Sequence, residues 1–302
     1  MKFIVPVAVT PAMLSIGFSE PSSTETEWEL GKAYAVGAYC IMLETHKIYQ
    51  CLIAIDIDTN FPPNTNLISA ANLAPKWREI SSTNAWKMFD SYGSTQTIGS
   101  ISDYVNLVQI GPTSGFNSLA LISIANIQSI EISCLNSLGA SVYYATFNTS
   151  GKSDYVVNDI ICPVGGSMDL YLYTQRNASG TPVAVPRIGK LEIGNYFELG
   201  DINYGSSVGI IDYSTKNTDL WGNTTIVKRA YTKRITAKLT ILNSKIDSVA
   251  NKLAAYRSTP VVWIGNENLY TSLIVYGFYR DFDINIAYPM QSDCSLTIEG
   301  IN

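Results

Sequence analysis

Residues 118–134 read SLALISIANIQSIEISC, and this stretch sets the fold class. Leu119, Leu121, Ser123 and Ala125 share one face at a period of two, with Ile122, Ile124 and Asn126 on the other. Both faces are largely apolar, so both are expected to be covered. The segments 104–110, 127–134, 142–146, 169–174 and 190–197 continue the pattern. Each is short, rich in Val, Ile, Leu and Tyr, and bounded by Gly, Asn, Ser or Pro, as at Gly165-Gly166 and Gly180. Short turn-bounded runs of this kind predict an all-β sandwich or jelly roll over 81–201.

Toward the C-terminus, 208–213, 226–231, 235–242, 261–264, 269–279 and 295–301 again read as strands. Between them the period changes. Ile246, Val249, Leu253 and Tyr256 recur at helical spacing beside Ala250 and Ala254. This predicts a helix over 244–256, opened by a capping-box-like Ser244 and Asp247 and followed by Pro260. Residues 202–302 are thus expected to form a β module with one helix that serves assembly. Its strands at 261–264 and 269–279 are apolar almost without alternation, as strands covered on both faces are. So small a module has few layers of its own, and other copies of the chain are expected to supply part of the cover, in a ring of cyclic symmetry.

Toward the N-terminus, 19–27 (SEPSSTETE) is a polar, acidic linker. Before it, the apolar run 3–18 has the composition of a short secretory signal, but Pro6 and Pro11 break the helix such a signal needs and no small-x-small cleavage site follows cleanly. We read 1–27 as an extended arm and linker, of which the arm, 2–18, is expected to order only against a partner. Residues 28–80 form a further small module. Strands are expected at 39–43 and 47–53, joined by Glu44, Thr45 and His46, with loop chemistry at Asn60, Pro62, Pro63 and Asn64. A module of this size has a small core, and its aromatic residues must supply much of the burial.

Composition narrows the function classes. The chain has 302 residues, 46% apolar and only 15% charged, against about 25% charged in ordinary domains. Disorder, coiled coil and a collagen-like rod are excluded. No run approaches the ~18 apolar residues of a membrane span. The net charge is −5, and the one basic cluster, Lys228-Arg229 with Lys233-Arg234, sits among apolar strand residues, which argues against nucleic acid as a partner. Five cysteines, Cys40, Cys51, Cys134, Cys162 and Cys294, form no CxxC. Two readings stand: free buried thiols, or a Cys40–Cys51 bridge across adjacent strands. The single histidine, His46, lies in the expected hairpin turn, and no HExxH, nucleophile elbow, Walker loop or dinucleotide fingerprint is present. Asp56 and Asp58 lack the rest of a calcium loop. An enzyme is therefore not expected, nor a cofactor or metal; a glycan-degrading enzyme working through two of the many carboxylates is the third-ranked reading.

The order Trp28, Tyr34, Gly37, Tyr49, Pro62 or Pro63, and Trp77 resembles that of small chitin-binding-type carbohydrate modules. Two departures are Ala38, where those modules carry an acidic residue, and a long loop over 56–73. The resemblance implies a site in which the apolar face of a sugar stacks on an exposed ring, with Trp28, Tyr34, Tyr49 and Trp77 as the carbohydrate-binding candidates. The same rings suit the core of a small domain, and both readings stay open.

A wider resemblance covers most of the chain. Residues 28–77, NAWKMFD at 84–90, TQT at 95–97, YGSSVG at 204–209, LAAYRSTPVVW at 253–263, VYGFY at 275–279 and CSLTIEG at 294–300 are similar to tail-tip proteins of tailed bacteriophages that are described as carbohydrate-binding. The middle segment is similar to galactose-binding-like jelly rolls, and the strands-helix-strands order of the last third resembles tail-tube-like modules. The resemblance implies a structural component of the virion tail tip or baseplate, made in the host cytoplasm. Its implied partners are other phage tail proteins, copies of itself and a host-surface glycan. The alternative it leaves is a purely architectural adaptor whose sugar-module-like folds only hold neighbouring subunits.

Overall fold

Ile127–Leu135 carries a clean alternation. Ile130, Ile132 and Cys134 are buried, while Ser129, Glu131 and Ser133 lie on the opposite face. The strand pairs antiparallel with Ser141–Asn148 on one side and Ser167–Thr174 on the other, and the sheet continues through Val105–Ile110 to Leu14–Ile16. The structure is a computed structural model in which residues 1–57, 61–69, 72–101, 105–266 and 270–301 are described. The features expected at Asp58, Asn60, Tyr104 and Leu269 lie outside them.

The inner face of this five-stranded sheet packs on Tyr155–Cys162, Phe116–Ile122 and Lys190–Glu198, three neighbouring strands of a ten-stranded sheet. Val108, Ile110, Leu119, Leu121, Leu170 and Leu172 are among the buried residues between the layers. Each such side chain contributes about 1.5–3 kcal/mol by leaving water. The chain is thus mainly β, with a sandwich at its centre. One face assignment changes. Ile124 joins the sandwich core with Leu119 and Leu121 rather than sharing a face with Ile122. The strand ends at Ile122, and Ser123 takes a left-handed backbone (φ 54°), which resets the alternation. Tyr155–Cys162 was not expected as a strand; Asp159 (φ 60°) and a register shift between Asn158 and Cys162 break its period.

The large sheet does not stop at the sandwich. Beyond Lys190–Glu198 come Lys2–Pro6, Val261–Ile264, Ile274–Asn285, Gln291–Gly300, Tyr231–Leu242 and Asp201–Ile202, with Ser207–Asp212 also paired to Tyr231–Leu242. The expectation that the N-terminal arm orders only against a partner is therefore corrected. Phe3 pairs with Phe197 on one side and Trp263 on the other. Phe3 and Ile4 are fully buried on opposite faces. A short run that is apolar without alternation is what a central strand covered on both sides requires. The segments 81–201 and 202–302 consequently share one sheet, joined by a strand from the first residues of the chain.

The helix Ile246–Ala255 covers the C-terminal half of that sheet, on the face that the five-stranded sheet covers elsewhere. Val249 and Leu253 are buried with Ile235, Leu239, Trp263 and Leu296. The cover expected from other copies is thus supplied on this face by the chain's own helix. The capping box is absent: a 3-10 turn, Asn243–Lys245, leads into the helix and places Lys245 at the cap with no side-chain bond. The small module is a three-stranded meander of Tyr39–Met42, Lys47–Cys51 and Trp77–Ser82. Cys40 lies opposite Tyr49, so Cys51 is diagonal to it. All five cysteines are free and buried, and burial pushes the Cys40 thiol up to about 12.

Candidate functional site

The four rings singled out by sequence divide sharply. Tyr34, Tyr49 and Trp77 are 6%, 2% and 0% exposed and form the core of the small module with Cys40, Met42, Cys51 and Ile55. Their polar ends are engaged internally. Trp77 Nε1 donates to the Phe61 carbonyl (2.7 Å), the Glu29 amide donates to Tyr34 Oη (2.7 Å), and Tyr49 Oη lies 3.0 Å from Thr45 Oγ1. Tyr34 meets Trp77 edge-on with centroids 5.1 Å apart. As a stacking platform these three are corrected to core: a meander this small has little else to bury. Trp28 is half-buried against the same cluster. An exposed row that sequence reading did not single out crosses the three strands. Gln50 Nε2 donates to Tyr39 Oη (3.0 Å), and Arg78 donates to Gln50 Oε1 (2.6 Å).

His46 sits at the hairpin turn with φ 55°, as a polar turn residue should. It stacks on Trp86 at 4.2 Å, and its Nδ1 lies 2.8 Å from Glu20 Oε2. The same carboxylate accepts from Trp86 Nε1 (3.1 Å) and from the Thr83 hydroxyl. Linker, module and the start of the sandwich segment are tied at one carboxylate. Among the described residues, no group of three or more His, Cys, Asp and Glu side chains is placed to hold a metal ion.

The outer face of the five-stranded sheet is where aromatic and hydrogen-bonding groups converge. Alternation turns Asp169, Tyr171 and Tyr173 outward from Ser167–Thr174, because Met168, Leu170 and Leu172 fill the core. Register then builds rows. Tyr144, Ser133, Asp169 and Gln109 lie side by side, as do Thr146, Glu131, Tyr171 and Leu107. Tyr173 Oη donates to Glu131 Oε2 (3.0 Å), and Gln109 Nε2 donates to Asp169 Oδ1 (2.7 Å). Burial first, then the Asp169 and Glu131 carboxylates and Tyr144, hold the Tyr171 phenol above its ordinary value. Tyr144 is well exposed, and Tyr171 and Tyr173 are half-buried. No lysine or arginine lies among the described outward residues of these strands. Rings fixed on strands, flanked by carboxylates and an amide, can stack on an apolar face and hydrogen-bond to hydroxyl groups around it. The signal for this site was the alternation itself, followed one face further outward.

A second charged feature lies inside. Lys190 and Glu192 alternate onto the reverse face of the large sheet, toward the cluster of Ile4, Ala120, Ile122, Val262 and Tyr276. Both are about nine-tenths buried and lie 3.4 Å apart. Lys190 also bonds the carbonyls of Phe89 and Asp90. Burial raises the Glu192 carboxyl above its ordinary 4.5, with Lys190 opposing. A raised carboxyl contributes stability that is present in acid and lost as pH rises through the raised value. Glu192→Ala is expected to cost on the order of 3 kcal/mol in urea unfolding, at the low end for a broken buried pair because Lys190 keeps its two carbonyls. The double change Lys190→Met with Glu192→Leu is expected to be neutral or stabilising. A double variant less stable than the single one contradicts this.

No family model and no curated protein matches the chain. Among solved structures it is weakly similar to chitosan-binding module 1 of a chitosanase/glucanase from Paenibacillus sp. IK-5. The alignment has 15% identity, covers 36% of this chain and 82% of that module, and has a TM-score of 0.28 for a single-residue variant of the module. For the unsubstituted module the values are 17%, 35%, 81% and 0.27. Scores this low describe a weak carbohydrate-module-like likeness over a third of the chain and carry no argument about ligand.

Proposed function

We propose that the protein is a non-catalytic, glycan-binding structural component of a bacteriophage tail, and that it holds sugar on the outer face of its five-stranded sheet. The observation that carries glycan binding is the grouping of Tyr144, Tyr171 and Tyr173 with Glu131, Asp169 and Gln109 on that face. The carboxylates, with no lysine or arginine among the described outward residues of these strands, favour neutral or amino sugars over anionic polymers. The placement in the tail, with other tail proteins and copies of the chain as partners, rests on the resemblance of 28–77, 84–90, 95–97, 204–209, 253–263, 275–279 and 294–300 to tail-tip proteins. The non-catalytic reading is supported by the sequence, which has one histidine and none of the common nucleophile, metal or cofactor motifs. Release of reducing sugar from host envelope glycan by the purified chain contradicts it.

The binding test is affinity electrophoresis through gels containing host envelope polysaccharide. Tyr171→Ala is expected to weaken retardation about fivefold, for a ring contact of about 1 kcal/mol, with the fold unchanged. Unaltered retardation of a folded Tyr171→Ala chain removes this face as the site.

The architectural reading has one specific observation in its favour, the burial of Tyr34, Tyr49 and Trp77 in the module core. On that reading the module is a spacer locked to the sandwich through Glu20. Normal adsorption by virions substituted at Tyr144, Tyr171 and Tyr173 together would favour it.

A further inference from the structure

Every residue from 216 to 231 is exposed. This stretch holds most of a two-stranded ribbon, Thr215–Thr218 with Thr224–Val227, which extends the pairing of Ser207–Asp212 with Tyr231–Leu242 away from the large sheet. Its tip is apolar and fixed in shape. Leu220 and Trp221 are 98% and 84% exposed. The Asp219 carboxylate accepts from the amides of Trp221 (2.9 Å) and Asn223 (2.8 Å) and from Asn223 Nδ2 (2.9 Å). Ile226, Val227 and Tyr231 add exposed apolar surface along the ribbon. A lone two-stranded ribbon is marginal in water, and a pre-shaped apolar tip on such a ribbon calls for a covering surface.

The chain carries a surface of matching character elsewhere. A hollow of about 520 Å³ is lined by Ile202, Tyr204, Val208, Tyr270 and Leu273. Tyr204 also borders an adjoining hollow of about 330 Å³ that contains Asp283, Asp293 and Lys238. The ribbon contributes Lys216, Lys228 and Arg229 against the single Asp219, so ribbon and hollows are complementary in both apolar character and charge. The ribbon cannot fill its own hollow. Val208 lines that hollow, and the tip lies roughly 40 Å further along the extended chain at ~3.3 Å per residue.

We infer that the occupant is a second copy of this chain: the Leu220–Trp221 tip of one copy seats in the Tyr204 hollow of the next, with Lys228 and Arg229 facing Asp283 and Asp293. Tip and hollow are different patches, so the contact is head-to-tail and either closes into a ring or grows open-ended. This deepens the reading of the chain as a self-assembling component by naming the surface, and its failure leaves glycan binding untouched.

The test is sedimentation velocity of the full chain over a concentration series. Wild type is expected to form oligomers that weaken with salt. Leu220→Ser with Trp221→Gly, Tyr204→Asp, and Lys228→Glu with Arg229→Glu are each expected to shift it to monomer with unchanged circular dichroism. Mixing the tip variant with the hollow variant leaves one intact tip and one intact hollow, and is expected to give a one-to-one dimer and nothing larger. A wild-type chain that is monomeric throughout, oligomers indifferent to these substitutions, or a mixture that stays monomeric overturns the inference.

Discussion

Phe3→Ala combined with Ile4→Ala is expected to unfold the large sheet, although both changes lie within the first four residues. Lys2–Pro6 is hydrogen-bonded on both edges, to Lys190–Glu198 and to Val261–Ile264. Phe3 packs against Phe197, Tyr256 and Trp263, while Ile4 fills the reverse face with Val262 and Ile264. Truncating a buried Phe costs about 3–5 kcal/mol and a buried Ile about 2–5. Together these approach the ~5–15 kcal/mol that holds a typical domain folded. Deleting residues 1–6 should be at least as severe, because each neighbouring strand is left with an open edge. Circular dichroism and thermal unfolding read the outcome. A double variant that loses less than about 2 kcal/mol and still melts cooperatively would show the strand to be peripheral.

Trp77→Ala is expected to unfold the small module and leave the sandwich intact. The indole is fully buried, meets Tyr34 edge-on, and donates to the Phe61 carbonyl. Its loss costs about 3–5 kcal/mol, more than a core of this size has to spare. Limited proteolysis should then cut within 28–82 while the remainder of the chain stays resistant. Tyr39→Ala, on the exposed row, should leave the module resistant. If Trp77→Ala stays folded and loses glycan binding, the indole is a sugar platform and not a core residue.

Much of the β architecture was legible because burial on one face leaves a period of two. Ile130, Ile132 and Cys134 in Ile127–Leu135 show it, and the change of period at Ile246, Val249 and Leu253 gave the helix. Lys2–Pro6 was not legible as a central strand. A strand covered on both faces has no alternation, and its partners lie nearly two hundred residues away or further, at Phe197 and Trp263. Tyr155–Cys162 was hidden by the left-handed Asp159. The small module's first hairpin and its His46 turn followed from local chemistry, whereas its third strand, Trp77–Ser82, and the burial of its rings did not. A Tyr or Trp has the same letter whether its polar end meets water or, as at Trp77, a carbonyl of its own chain. The outer-face tyrosines became visible only when register set Tyr171 beside Glu131, and Tyr144 and Asp169 on either side of Ser133.

Hydroxyl-radical footprinting of the full chain, with and without host envelope polysaccharide, tests the glycan-binding face most directly. Protection is expected at Tyr144, Tyr171 and Tyr173, with the Tyr39–Gln50–Arg78 row and the Trp221 tip unchanged. Protection confined to the small module, or none on the outer face of the five-stranded sheet despite retention by the polysaccharide, contradicts the assignment.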